Sequence, residues 1–122
     1  MGMDVSGIKP TSQEGEYIRF SMWSWPNVIN FAKIVAPEEF SKIEYPYSND
    51  GSGLNAEDSR KMGEKILNSI NTEVMIQYLQ YIPERPKSYK NGKITATSKF
   101  CDPDRIEEFG KFLISCGGFQ IW

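Results

Sequence analysis

The 122-residue chain contains no histidine. That absence removes Ser-His-Asp and Cys-His nucleophilic machinery, histidine general acid/base catalysis and every histidine-ligated metal site. Cysteine is scarce: Cys101 and Cys116 are the only two, too few for a disulfide scaffold or an all-cysteine zinc site. A helix running between them would hold them roughly 20 Å apart at about 1.5 Å per residue, so both are expected as buried free thiols. No apolar run approaches the ~20 residues of a membrane span. Met1-Gly2-Met3-Asp4 has neither the basic start nor the apolar stretch of a signal peptide. No P-loop, Gly-x-Gly-x-x-Gly, nucleophile elbow or carboxylate metal motif occurs. The expectation is a soluble, cytoplasmic protein without cofactor, metal or membrane partner.

What is present is an aromatic-rich single domain spanning 1–122. Apolar residues make up 39% of the chain, and seven Phe, six Tyr and three Trp stand among them. That is enough to close one two-layer core.

Local patterning sets out the elements. Met3 to Ile8 alternates as a short strand, ended by Pro10. Glu16 to Trp23 is a second strand rich in β-favouring types. Trp25-Pro26 reads as a helix entrance, because proline costs nothing at the first helical position. Val28, Phe31, Ala32 and Val35 then share one helical face. Pro37 separates a short helix, Glu38 to Ile43. Glu44 to Asn55 is turn chemistry throughout. Asn55, with Asp58 three residues on, suits the cap of a helix from Ala56 to Ile70. Another helix is expected from Glu73 to Ile82. Asn91-Gly92 is a two-residue hairpin signal, because both turn positions need positive φ. It centres a basic hairpin-like segment at about 84–100. Asp102-Pro103 opens a helix with Ile106, Phe109, Leu113 and Cys116 on its buried stripe, and Gly117-Gly118 ends it. Phe119 to Trp122 is a terminal apolar strand, expected to bury in the sheet. The order β-β-α-α-α-α-β-β-α-β reads as α+β: a small mixed or antiparallel sheet including both termini, packed against about four helices.

Three constellations bear on function. The first is the loop at 48–57, where Asn49-Asp50-Gly51-Ser52-Gly53 resembles a calcium loop. Placing Gly51 at the sixth position sets Glu57 at the twelfth, but puts Pro46 at the first and Gly53 at the eighth, so the pattern fails at two of four anchors. A structural turn, with Asn49 and Asp50 left as candidate binding residues, fits better.

The second is basic. Arg85, Lys87, Lys90, Lys93 and Lys99 carry five positive charges with no acidic residue among them. The chain as a whole is −2, so the rest of it is −7. With Tyr89 for stacking, this segment suits RNA or DNA; an edge hairpin kept soluble by its lysines is the duller alternative. The third is the N-terminal block of Asp4, Glu16, Arg19, Trp23 and Trp25. Its carboxylates could serve as acid and base on a phosphorylated substrate. An Arg19 ion pair with Asp4 or Glu16, and tryptophans in the core, is the structural alternative.

Met1-Gly2-Met3-Asp4-Val5-Ser6-Gly7, Pro10-Thr11-Ser12, Gly15-Glu16-Tyr17-Ile18-Arg19 and Trp23-Ser24-Trp25-Pro26 resemble the start of an uncharacterised family of small bacterial and bacteriophage proteins. Asn49-Asp50-Gly51-Ser52-Gly53-Leu54 and the closing Phe112-Leu113-Ile114-Ser115-Cys116-Gly117-Gly118-Phe119-Gln120-Ile121 resemble it as well. Longer relatives carry Cys-x-x-Cys pairs similar to a zinc knuckle; residues 83–100 have none, so no zinc role carries over. The resemblance implies a bacterial or phage cytosolic setting and binding to host machinery. The leading expectation is therefore a non-enzymatic protein that engages a host protein or ribonucleoprotein complex, an anti-CRISPR-like defence inhibitor being its sharpest form. A nucleotide or nucleic-acid module using residues 85–99, and a small enzyme using Asp4, Glu16 and Arg19, are the alternatives.

Overall fold

The computed structural model describes residues 2–81, 89–90, 93–94 and 103–122, with backbone alone at 80–81, 89–90 and 93–94. The fold is α+β. Strands β1 (Gly2–Gly7) and β2 (Tyr17–Ser21) form a hairpin around a 3-10 turn at Gln13–Gly15. Helices α1 (Trp25–Val35) and α2 (Pro37–Phe40) follow. Next come strand β3 (Gly53–Leu54) and helices α3 (Ala56–Ser69) and α4 (Glu73–Tyr81). A small hairpin, β4 (Tyr89–Lys90) and β5 (Lys93–Ile94), precedes α5 (Pro103–Ser115) and β6 (Phe119–Ile121). The sheet order is β2-β1-β6-β3, antiparallel throughout, so strands from both ends of the chain lie side by side at its centre.

Strand alternation decides which face is core. Met3, Val5, Ile18, Phe20, Phe119, Ile121 and Leu54 point inward and are buried. Against them pack α5 and, behind it, α3. The α5 stripe expected from spacing (Ile106, Phe109, Leu113 and Cys116) is fully buried. Phe109 meets Phe20 and Trp25 edge-on at 5.7 and 5.5 Å between ring centroids, and Phe20 lies 5.6 Å from Trp25. Such pairs contribute about 0.5–1.5 kcal/mol each beyond the area they bury. The helices α3 and α5 touch through glycine: a Cβ on Gly63 would lie 2.8 Å from the Gly110 carbonyl oxygen.

The helix ends follow the sequence. Asn55 Oδ1 accepts from the Asp58 amide at 2.8 Å, as its capping position requires. Gly117 and Gly118 both take positive φ (66° and 94°), turning the chain from α5 into β6. The Asp58 carboxylate does not complete a reciprocal cap; it is buried and accepts from Lys42 Nζ at 3.0 Å. Glu39, also buried, accepts from Lys65 Nζ at 2.8 Å. Burial alone would raise the Glu39 carboxyl. The Lys65 hydrogen bond, Glu39's own backbone amide and the Lys65 charge outweigh it and hold the carboxyl below its ordinary range.

Some boundaries differ from expectation. Glu44 to Asn55 is not loop throughout, because Gly53–Leu54 pairs with β6. Two residues are too few to show periodicity, and the pairing depends on a bare backbone: a Cβ on Gly53 would fall 1.7 Å from the Phe119 carbonyl oxygen. The short second helix stops at Phe40. The second strand is shorter than Glu16 to Trp23, because the chain turns at Met22. The described part of the basic hairpin pairs Lys90 with Lys93, the register expected around Asn91-Gly92. Arg85, Lys87, Lys99, Cys101 and the expected strand at 95–97 lie outside the described residues.

Candidate functional site: the open face of the sheet

One face of the sheet is core; the other carries no covering layer among the described elements. Antiparallel registers define what stands on it. Arg19 opposes Asp4, Tyr17 opposes Ser6, and Ser6 opposes Gln120, which opposes Gly53. One residue past β6, the Trp122 amide donates to the Asp4 carbonyl at 2.6 Å, which sets Trp122 beside Asp4 on this same face. Tyr17 and Trp122 are each 52% exposed.

Both rings are held. The Tyr17 hydroxyl donates to Asp4 Oδ1, a diagonal cross-strand contact within reach of an aromatic side chain. That hydrogen bond, aided by partial burial and the Asp4 charge, pushes the phenol above its ordinary value of 10.0. Arg19 Nη1 lies 3.5 Å from the same carboxylate oxygen. Trp122 lies over Gly51, where an added Cβ would be 2.7 Å from Cη2 of the indole. Gly51 also has φ of 95°, so glycine meets both needs.

Beside Trp122 the face deepens into an open cleft of about 450 Å³, bordered by Ile8, Gln120, Gly51, Gly53 and the Lys42–Asp58 pair. At the opposite side, the outer edge of β2 is guarded. Arg105 from α5 lies 4.5 Å over the Phe20 ring and donates to the Arg19 carbonyl, which occupies an edge that would otherwise invite strand pairing.

The residues expected to bind do not all belong here. Asp4 and Arg19 do, as an exposed surface pair rather than a buried one. Glu16 does not. It sits ahead of β2 in helical backbone and makes no ion pair or side-chain hydrogen bond with the described residues, so the strands do not gather Asp4, Glu16 and Arg19 into one cleft. Trp25 is a correction: it is 1% exposed, and its indole N–H donates to the Pro46 carbonyl at 2.7 Å. It pins the 44–55 loop to the core and faces no ligand, because helix α1 turns it inward with Val28 and Ile29. Trp23 is 68% exposed, in the turn after β2, next to exposed Met22. Asn49 and Asp50 are exposed, Asp50 accepting from Ser48 Oγ at 2.7 Å; they lead directly into Gly51. Among the described residues no cluster of acidic or sulfur ligands is placed to hold a metal ion, and no helix is long and apolar enough to cross a membrane.

Tyr17 and Trp122 were not singled out from sequence. For Trp122 the signal was present. Gln120 between two apolar residues marks the outward parity of β6, and Trp122 shares it. The expectation that the whole Phe-Gln-Ile-Trp ending would bury is therefore correct for Phe119 and Ile121 alone. No protein-family model, curated protein or solved structure matches the chain.

Proposed function

We propose that this is a non-enzymatic binding protein that engages a partner protein through the open face of its sheet. The carrying observation is the pair of half-exposed rings, Tyr17 and Trp122, fixed on that face by Asp4 and Gly51. Tyr, Trp and Arg are the residue types that dominate interface energetics, and rigid aromatic anchors lose little entropy on binding. The neighbouring floor of Ser6 and glycine lets a partner approach the backbone closely. A face needed only for solubility has no use for two held, half-exposed aromatics.

The resemblance to small bacterial and phage proteins adds the setting: a host protein or nucleoprotein complex as partner, with inhibition of a defence complex as the sharpest form. The test is recovery of a partner from a bacterial host by wild type and by Tyr17→Ala/Trp122→Ala. The same partner should be lost with the double variant and kept with Val74→Ala/Ile76→Ala on α4. Equal recovery by both variants would overturn the reading.

The nucleic-acid reading rests on a different observation, the register that sets Lys90 opposite Lys93. Its test is charge reversal at Lys90 and Lys93, which should abolish binding to RNA or DNA and spare a partner held by the sheet.

A further inference from the structure

We infer that the open sheet face takes a cationic side chain, Arg or Lys, presented by an extended segment of a partner protein. This rests on the proposed function above and names the chemistry of the partner.

The argument begins at Asp4. Its side chain is 35% exposed, and it stands between two aromatic positions: Trp122 beside it on β6 and Tyr17 diagonally across on β2. Tyr17 and Arg19 both address Oδ1. Oδ2 takes no hydrogen bond from the described residues. A carboxylate with one oxygen open, standing between two aromatic positions, suits a guanidinium or ammonium group: the anion meets the charge, and an aromatic side chain that turns over the bound cation adds cation–π attraction.

Acidic residues continue along the chain from this face. Glu14 and Glu16 lead into Tyr17 and are exposed. Glu14 then shares an open groove with Asp104, Glu107, Glu108 and Lys111 along α5, a lining with more acidic than basic side chains. Outside residues 85–99 the chain totals −7. This field disfavours a phosphate backbone on this face and steers a basic segment toward it. Arg19 marks the place: a guanidinium already rests on Asp4 from one side, and the partner's cation would take the other.

The experiment titrates a fluorescein-labelled Gly-Arg repeat octapeptide into the full chain at low ionic strength. A Gly-Glu repeat and an oligo(dT) strand run in parallel. Saturable binding of the arginine peptide is expected, weakened about tenfold by Asp4→Asn and by Trp122→Ala, and largely restored by Asp4→Glu. In wild-type protein the Trp122 indole N–H signal should move on titration while that of Trp25 stays. This last readout serves should Asp4→Asn not fold.

No binding of the arginine peptide, equal affinity in both variants, or preference for oligo(dT) would overturn the inference. The proposed function fails separately, when Tyr17→Ala/Trp122→Ala leaves partner recovery unchanged. If that variant loses the partner and the arginine peptide does not compete for it, the cationic inference alone falls.

Discussion

The packing of α3 on α5 makes a sharp prediction, because two glycines face each other there with different neighbours. An added Cβ at Gly63 would lie 2.8 Å from the Gly110 carbonyl oxygen, 2.9 Å from Leu113 Cβ and 3.1 Å from the Ile114 amide nitrogen. These are backbone or first-carbon atoms with no rotamer to change, so Gly63→Ala must push the helices apart by roughly 0.5 Å. A gap of that size forfeits about a quarter of each dispersion contact across the seam, to which α3 brings buried Met62 and Ile66 and α5 brings buried Ile106, Phe109 and Leu113. Overpacking against atoms that cannot rotate away falls in the upper part of the usual range, about 2–3 kcal/mol, offset by about 1 kcal/mol of gained helix propensity.

At Gly110 the two nearest atoms are Leu67 Cδ2 at 2.8 Å and Cγ at 3.0 Å, on a half-buried side chain that can rotate aside, and the third is Cγ2 of buried Ile66 at 3.1 Å, a milder contact. Propensity and crowding then nearly cancel. The expected result in urea denaturation, followed by far-ultraviolet circular dichroism, is Gly63→Ala destabilised by about 1–2 kcal/mol with an unchanged m-value. Gly110→Ala should stay within about 0.5 kcal/mol of wild type. The reasoning fails if Gly63→Ala is as stable as wild type, or if Gly110→Ala is the worse of the two.

Other consequences can be checked with the same protein. The lowered Glu39 carboxyl contributes stability that is present above the ordinary carboxylate value of 4.5 and lost as pH falls through its folded value. Glu39→Gln should therefore have a lower urea midpoint at neutral pH, and its gap from wild type should close as pH falls from 4.5 through the lowered folded value; a gap constant into acid would contradict this. Lys42 and Lys65 are raised, first by their hydrogen bonds to Asp58 and Glu39. Their share is present below 10.5 and is lost only as pH rises through the higher folded values, so stability should hold through pH 10. In a Cys101→Ser background Cys116, fully buried with its thiol pushed up by burial, should react with an aromatic disulfide on the order of 10³-fold more slowly than a free thiol. Rapid labelling in native conditions would refute its place in the core. Gly51→Ala should displace Trp122 and alter tryptophan fluorescence, with a cost of about 1–2 kcal/mol from positive φ; an unchanged spectrum would contradict the stacking.

Much of the fold is legible in the residues. The 3.6-residue spacing of Ile106, Phe109 and Leu113, the Asn55 cap and the paired Gly117-Gly118 stop all reflect local physics, and they stand where the sequence puts them. The strands at the two ends read through their alternation. What does not read is whatever depends on distant partners. β3 exists because Gly53 meets Phe119, residues far apart in sequence. Trp25 and Trp23, two residues apart and alike in composition, part ways because one opens a helix against Phe20 and Phe109 while the other tops a turn.

The site was legible in part. Asp4 and Arg19 stood out as a charge pair, but their register, and the placement of Trp122 beside them, follows only once β6 lies against β1. Asn49-Asp50-Gly51 looked like a ligand loop; its glycine instead makes room for an aromatic ring.

The central claim, that the open sheet face meets the partner, is tested most directly by site-specific photo-crosslinking in a bacterial host. A benzophenone side chain at position 17 or 122 should trap one and the same partner protein, while the same group at position 74 or 76 on α4 traps none. Crosslinking confined to 74 and 76, with none from 17 and 122, would contradict it.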